Sequence, residues 1–245
     1  MSALPYIRCR GLTKAFGGKA VLRGLTLDVL AGETLVVLGG SGSGKSVLLK
    51  HMNALLRPDA GTVEVDGVSL GALAEDELSQ VRRHVGMLFQ QGALFDSLTV
   101  GENVAYPLRE HRLAPPDAIP ERVREALAMV GLVGTEPLMP AELSGGMRKR
   151  AALARALVLA PRALLYDEPT TGLDPVVAAK INHLIRELQR RLAVTSVVVT
   201  HDLGSAFFVA DRLAFLHEGR IRFVGTPEEA RASQDEFLHE FLTAA

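Results

Sequence analysis

The sequence predicts an α/β fold built on a mostly parallel sheet, with an antiparallel β region at the N-terminus and a helical lobe inserted into the core. Three observations carry this. The run Thr34-Leu35-Val36-Val37-Leu38 is continuous and almost wholly apolar, as a strand covered on both faces must be, and a glycine-rich turn leads from it into a helical period. ALLYDEP (163–169) and TSVVVTHD (195–202) bracket the amphipathic VVAAKINHLIRELQRRL (176–192), the βαβ alternation of a buried parallel sheet. From about Glu75 to Ala160 the pattern is mostly helical, broken by Pro115, Pro116, Pro120, Pro137 and Pro140.

Element by element, the β-like runs YIRCRGLTKAF and VLRGLTLDV come first, punctuated by Gly17-Gly18 and Ala31-Gly32, and ETLVVLGG follows. The helix GKSVLLKHMNALL ends before Arg57 and Pro58, and GTVEVDGVSL reads as a hairpin at a sheet edge. Residues 226–245 read as one or two terminal helices. This is one domain over 1–245. Segments 1–89 and 161–225 make the α/β core with its β region, and 90–160 makes the helical lobe.

Composition narrows the function. Lys and Arg total 27 against 28 Asp and Glu, so the basic excess of a phosphate-backbone binder is missing and nucleic acid is not an expected partner. Cys9, the single cysteine, has no internal disulfide partner; it suits a small buried residue in a reducing compartment. With no secretory leader and no apolar run of about 18 residues, the chain is not expected to cross a membrane by itself. Its mean hydropathy of +0.19 then implies a large core or an apolar docking surface.

Gly39-Gly40-Ser41-Gly42-Ser43-Gly44-Lys45-Ser46 fits the pattern GxxxxGK[ST] and lies between a strand and a helix, where that motif works. Its glycines let backbone N–H groups turn toward phosphates, and the helix adds the positive end of its dipole. Lys45 suits the β- and γ-phosphates of ATP, and the Ser46 hydroxyl suits Mg²⁺. Asp167 and Glu168 end an apolar strand at the sheet edge where ligands bind. Alone, such a pair is more commonly only a loop or helix start. Beside a phosphate loop, Asp167 suits the metal and Glu168 the general base.

Leu143-Ser144-Gly145-Gly146-Met147 stands between these motifs, followed by the helical RKRAALARALVLA. Here the chain resembles the ATPases of ABC transporters, with Phe16, the phosphate loop, Gln90, LSGGM, YDEP, GLDP and His201 in the family's order. The resemblance implies the P-loop NTPase fold and a head-to-tail dimer of two copies sandwiching two ATP molecules. Ser144, Gly145 and Gly146 would then form an anion site serving the partner's nucleotide; by itself the segment is equally an N-capped helix. It further implies that Phe16 stacks on adenine, although a lone Phe also suits a core strand. Gln90 would contact Mg²⁺ or the water, and Asp174 would lie at the dimer seam. His201, read as following the final core strand, would hold the γ-phosphate and Glu168 in register.

Met147 replaces the usual Gln of the motif, exchanging an amide for a thioether. LSGGMRKRAALARAL and FQQGALFDSLTVGENVAYPLREH are similar to ATPases of Mla-type, MCE-protein phospholipid transporters of Gram-negative envelopes. That resemblance implies a permease, an MCE lipid-binding protein, a STAS-domain protein and a place on the cytoplasmic face of the inner membrane. Such ATPases can carry a further C-terminal extension, whose contacts are then expected to be missing after FLHEFLTAA. An importer ATPase for amino acids or another polar solute stays open. A non-transport ABC protein would need tandem cassettes, a long coiled coil or a basic surface, which this sequence lacks. Residues 92–109, with Ala93, Leu94, Phe95, Leu98, Val104 and Tyr106, are the expected permease dock.

Overall fold

The computed structural model describes residues 4–243, so the first residues of the N-terminal reading and the last two of the C-terminal helices lie outside the described residues. The chain runs β1 (Pro5–Phe16), β2 (Lys19–Leu30), β3 (Thr34–Leu38), α1 (Lys45–Met52), β4 (Ala60–Val65), β5 (Val68–Ser69), α2 (Glu75–His84) and β6 (Val85–Leu88). It continues with α3 (Val100–Glu110), α4 (Ile119–Met129), α5 (Gly145–Leu157), β7 (Ala163–Asp167), α6 (Pro175–Leu192), β8 (Thr195–Thr200), α7 (Leu203–Val209), β9 (Arg212–His217), β10 (Arg220–Gly225), α8 (Pro227–Arg231) and α9 (Glu236–Thr243).

Two sheets form. The antiparallel one has the order β2-β1-β4-β5, and the other has the order β10-β9-β3-β8-β7-β6, parallel from β9 to β6 with β10 antiparallel at its edge. The side-chain period of two divides the main sheet between two cores. Leu35, Val37, Val197 and Val199 face α1 and the antiparallel sheet, while Val36, Leu38, Val198 and Tyr166 face the helical lobe and α6. The apolar continuity of TLVVL follows: all five of its residues are buried.

Two strand readings need correction. The stretch 75–160 is not all helix before the lobe, because β6 pairs with β7 in parallel, Val85 opposite Ala163 through Leu88 opposite Tyr166. TSVVVT is not the last core strand either. The chain returns through α7 to lay β9 against the free edge of β3, and β10 follows antiparallel. The helix after the phosphate loop also stops at Met52, short of Leu56, with Ala54 in the left-handed region at φ 58°.

Candidate active site

Every strand of the parallel set ends on the same side, and the loops that leave β3, β6, β7 and β8 there carry the predicted groups. After β3 the chain turns through the glycine loop into α1, with Gly44 at φ 107°, a backbone conformation that a side chain resists. Lys45 folds back over this loop, its Nζ donating to the carbonyls of Gly39 at 2.8 Å and Gly40 at 3.1 Å. Nζ also lies 3.5 Å from the Glu168 carboxylate. The Ser46 hydroxyl donates to Asp167 Oδ1 at 2.7 Å.

Glu168 is fixed from several directions. Its φ of 48° is left-handed, a strain of about 1–3 kcal/mol for a non-glycine residue, and its N–H donates to the Val199 carbonyl at 3.0 Å. Its carboxylate lies 3.0 Å from His201 Nδ1 and accepts the Thr171 hydroxyl at 3.1 Å. The acid is therefore braced by β8 and by the residue that follows β8. Lys45, Asp167 and Glu168 are all buried. Burial raises the Asp167 carboxyl above its ordinary range; the Ser46 hydrogen bond opposes this, the Glu168 charge adds to it, and Lys50 and Lys45 oppose it.

A cavity of about 680 Å³ gathers Gly40, Ser41, Gly42, Gly44, Lys45, Ser46, Gln90, Glu168 and His201 in its lining. Other predicted residues lie elsewhere. Gly39 and Ser43 belong to the loop but not to that lining, and Asp167 stands behind Ser46. Phe16 is also outside the lining, with its ring exposed and the Lys14 ammonium 5.6 Å from its centre. Ser144, Gly145, Gly146 and Asp174 form a separate group. Ser144 caps α5 by accepting from Met147 N, and Asp174 caps α6 by accepting from Val176 N and Val177 N at 3.0 Å. The two caps are packed together: a Cβ on Gly146 would lie 2.5 Å from Val177 Cγ1, and one on Gly145 would lie 3.3 Å from Leu173 Cδ2.

Several residues that sequence reasoning passed over support this site. Val21, Val47 and Phe241 also line the cavity, Phe241 from the terminal helix α9. Behind His201, Asp202 caps α7 and its carboxylate accepts the Ser205 hydroxyl, while Asn182 of α6 donates to Ser205 Oγ at 2.7 Å. A local signal existed only for Asp202, an acidic residue immediately before a helix.

The segment after Gln90 is pinned from two helices. Arg155 of α5 donates to the carbonyls of Ala93 at 2.7 Å and Gly92 at 3.0 Å. The buried Asn103 amide of α3 accepts from Phe95 N at 2.8 Å, and its two N–H groups are shared among the carbonyls of Phe95, Leu98 and Thr99. Of the apolar residues expected at a dock, Val104 is instead fully buried in the lobe's core, because it falls on the inner face of α3. Leu94 also packs against that core, while Phe95 and Tyr106 are exposed, with ring centroids 4.9 Å apart.

Comparison with known proteins adds the family. Residues 22–171 match the family model described as ABC transporter. The chain is 43% identical over 236 residues to the "Probable ribonucleotide transport ATP-binding protein mkl" of Mycobacterium leprae, covering 96% of this chain and 68% of that protein. It is 40% identical over 241 residues to the "Intermembrane phospholipid transport system ATP-binding protein MlaF" of Escherichia coli K12, covering 98% of this chain and 90% of that one. Among solved structures, the dimeric post-hydrolysis state of the ATP-binding cassette MJ0796 with ADP and Pi is 34% identical. It covers 90% of this chain and 98% of that one at a TM-score of 0.83. The motif order, the cavity and these matches together place the chain in the ABC transporter family.

Proposed function

We propose that the chain is the ATP-hydrolysing subunit of a phospholipid transporter, acting as a head-to-tail pair. The observation that carries the hydrolytic part is the convergence of Lys45, Ser46, Gln90, Glu168 and His201 on one cavity at the ends of the parallel strands. Glu168 takes a proton from the attacking water as that water's oxygen bonds to the γ-phosphorus, while the bond to the leaving ADP oxygen breaks. Lys45 stabilises the negative charge on the phosphoryl oxygens, and His201 holds the Glu168 carboxylate in place. Gln90 lies beside them to orient the water.

The donor set fits Mg²⁺. Ser46 Oγ and the Asp167 carboxylate are hard oxygen donors beside a phosphate loop, and a carboxyl pushed up by burial gains from a cation. Gln90 would add an amide oxygen, and the bound ion would neutralise phosphate charge. Among the described residues no group of three or more His, Cys, Asp or Glu gathers as a metal cage, and Mg²⁺ accepts such sparse protein ligation when phosphates supply the rest.

Pairing of two copies is supported by the position of Ser144, Gly145, Gly146 and Asp174 outside the cavity of their own chain. Ser144 opens α5 as an anion-binding helix start, suited to the partner's γ-phosphate, and Asp174 holds the neighbouring seam. Phe16, exposed on the β1–β2 turn, is proposed to meet adenine. No helix among the described residues is long and apolar enough to cross a membrane. A membrane permease is the proposed partner, in keeping with the phospholipid-system relatives. Phe95 and Tyr106 line a cleft of about 300 Å³ with Leu55, Pro107 and Arg155, suited to a cytoplasmic helix of that permease.

Phospholipid as cargo is supported by the match that spans 90% of the Escherichia coli phospholipid-system protein, against 68% of the mycobacterial protein named for ribonucleotides. With it come an MCE lipid-binding protein, a STAS-domain protein and a place on the cytoplasmic face of the inner membrane. The test is purification of the assembled native complex, identification of its bound lipids, and measurement of its ATPase rate with phospholipid or with polar solutes. Phospholipid retained and stimulating turnover is the expected result; stimulation by an amino acid or ribonucleotide alone would overturn the assignment. Phe95→Asp should leave ATP binding intact while the permease is lost from the purified complex.

A further inference from the structure

We infer that Lys149 is a positioning residue for the general base, holding Glu168 in its left-handed conformation through the backbone. The inference rests on the proposed role of Glu168. Lys149 sits in the first turns of α5 and is only 6% exposed, yet among the described residues it makes no ion pair within 4 Å. Its Nζ donates instead to two carbonyls of the loop after β7, Glu168 O at 3.1 Å and Thr171 O at 2.9 Å.

Those two carbonyls bound the turn that sets the base. Glu168 stands at φ 48°, and Thr171 N donates to Glu168 O at 3.3 Å, closing the turn on itself. The Thr171 hydroxyl meanwhile donates to the Glu168 carboxylate. A single ammonium bonded to both ends of this turn fixes the peptide plane of Glu168, hence the direction in which its side chain leaves the backbone. Lysine suits this work. A compact cation with three donors satisfies two convergent carbonyls, whereas an apolar residue would leave Thr171 O without its donor and Glu168 O with only the 3.3 Å bond of the turn. Burial lowers the Lys149 pKa, with the Glu168 charge opposing, so the site carries a cost that a filler residue would avoid.

The position on α5 adds a consequence. Ser144 caps the same helix five residues earlier, so the segment that would meet the partner's nucleotide is joined, through less than two turns of helix and one ammonium, to the base of its own chain.

The test uses the full chain. Lys149→Met keeps most of the length of the side chain and removes the donors; kcat should fall about tenfold or more while ATP affinity stays within about twofold. Lys149→Gln keeps a neutral donor and should lie between Met and Lys, about threefold down, which also serves if the Met variant folds poorly. In a Glu168→Gln background the base is already lost, so adding Lys149→Met should leave formation of the ATP-bound dimer unchanged. An unchanged kcat in both single variants would overturn the inference. So would a loss of ATP affinity matching the loss of rate, or a failure of the double variant to dimerise, since each would make Lys149 general support for the loop or α5. Turnover that survives Glu168→Gln in a chain with Lys149 intact would instead overturn the role of Glu168 itself.

Discussion

Replacing Asn103 with Ala should destabilise the fold by an amount that can be worked out from the groups its amide satisfies. Its oxygen accepts from Phe95 N, and its two N–H groups are shared among Phe95 O, Leu98 O and Thr99 O. Two of these carbonyls keep another donor, since Leu98 N reaches Phe95 O at 3.2 Å and Asn103 N reaches Thr99 O at 2.9 Å. Phe95 N and Leu98 O are left without one. An orphaned buried group costs about 1–3 kcal/mol, so the pair predicts about 2–4 kcal/mol, the lower half chosen because Phe95 borders solvent. For a domain of this size that is roughly 4–16 °C in Tm. Equilibrium urea unfolding of the isolated chain measures it, with ATP affinity measured alongside and expected to hold. Asn103→Asp should be worse than Ala at neutral pH, because a carboxylate would face three carbonyls. Its deficit should shrink as acid restores a donor. A loss below about 1 kcal/mol for Ala would mean that water takes over these groups, and the pinning role would be wrong.

Three further outcomes follow from the site. Glu168→Gln should bind ATP and lock into a dimer without turnover, read by size-exclusion chromatography with and without ATP; turnover within about tenfold of wild type would remove Glu168 as base. Asp167→Asn should abolish Mg²⁺-dependent hydrolysis yet stabilise the nucleotide-free chain. The native Asp167 pKa lies above its unfolded value, so the native state binds the extra proton and stability is lost as pH rises from the ordinary carboxylate range through the raised value. Thermal melts at neutral pH should show Asn above Asp, and the gap should close in acid. Gly146→Ala puts a methyl 2.5 Å from Val177 Cγ1 and should cost about 1–3 kcal/mol while lowering ATPase activity through the displaced α5 start; an unaltered melt and rate would contradict the close packing.

Strong local signals made the active-site loops legible. The phosphate loop, the acidic pair after β7 and His201 each sit at a strand end that the apolar pattern announces, and all of them reach one neighbourhood. Strand β6 was hidden because VGML is four residues long, contains a glycine and directly follows α2, so a helical window runs over it. Strands β9 and β10 carry weaker signals that a motif-led reading passes over: RLAFLH holds only four apolar residues between Arg212 and His217, and RIRFVG shows the charged–apolar alternation of an edge strand over only its first four residues. Val104 shows a different limit. Its spacing from Phe95 and Tyr106 places it in the same apolar stretch, but the turn of α3 sends it inward and Tyr106 outward. Asn103, Lys149 and Asn182 carry no sequence signal, since a polar residue inside a helix does not announce its partner: the backbone of the loop just before α3 for Asn103, two carbonyls 19 and 22 residues on for Lys149, and the Ser205 hydroxyl for Asn182.

Helix α5 holds its surroundings by an arrangement with consequences for ionic strength. Arg148, Lys149, Arg150 and Arg155 all donate to backbone carbonyls, those of Leu143, of Glu168 and Thr171, of Val130 and Gly131, and of Gly92 and Ala93. None of the four appears in an ion pair among the described residues. Partners without net charge gather no counterion cloud to exchange, so dissolved electrolyte has little to compete for. At about 1 M salt, where the screening length is about 3 Å, exposed pairs such as Arg10 with Asp28 and Arg162 with Asp66 lose their small contribution. The cations of α5 keep theirs, and the helix retains its grip on the catalytic turn and the segment after Gln90 in brine as in dilute buffer.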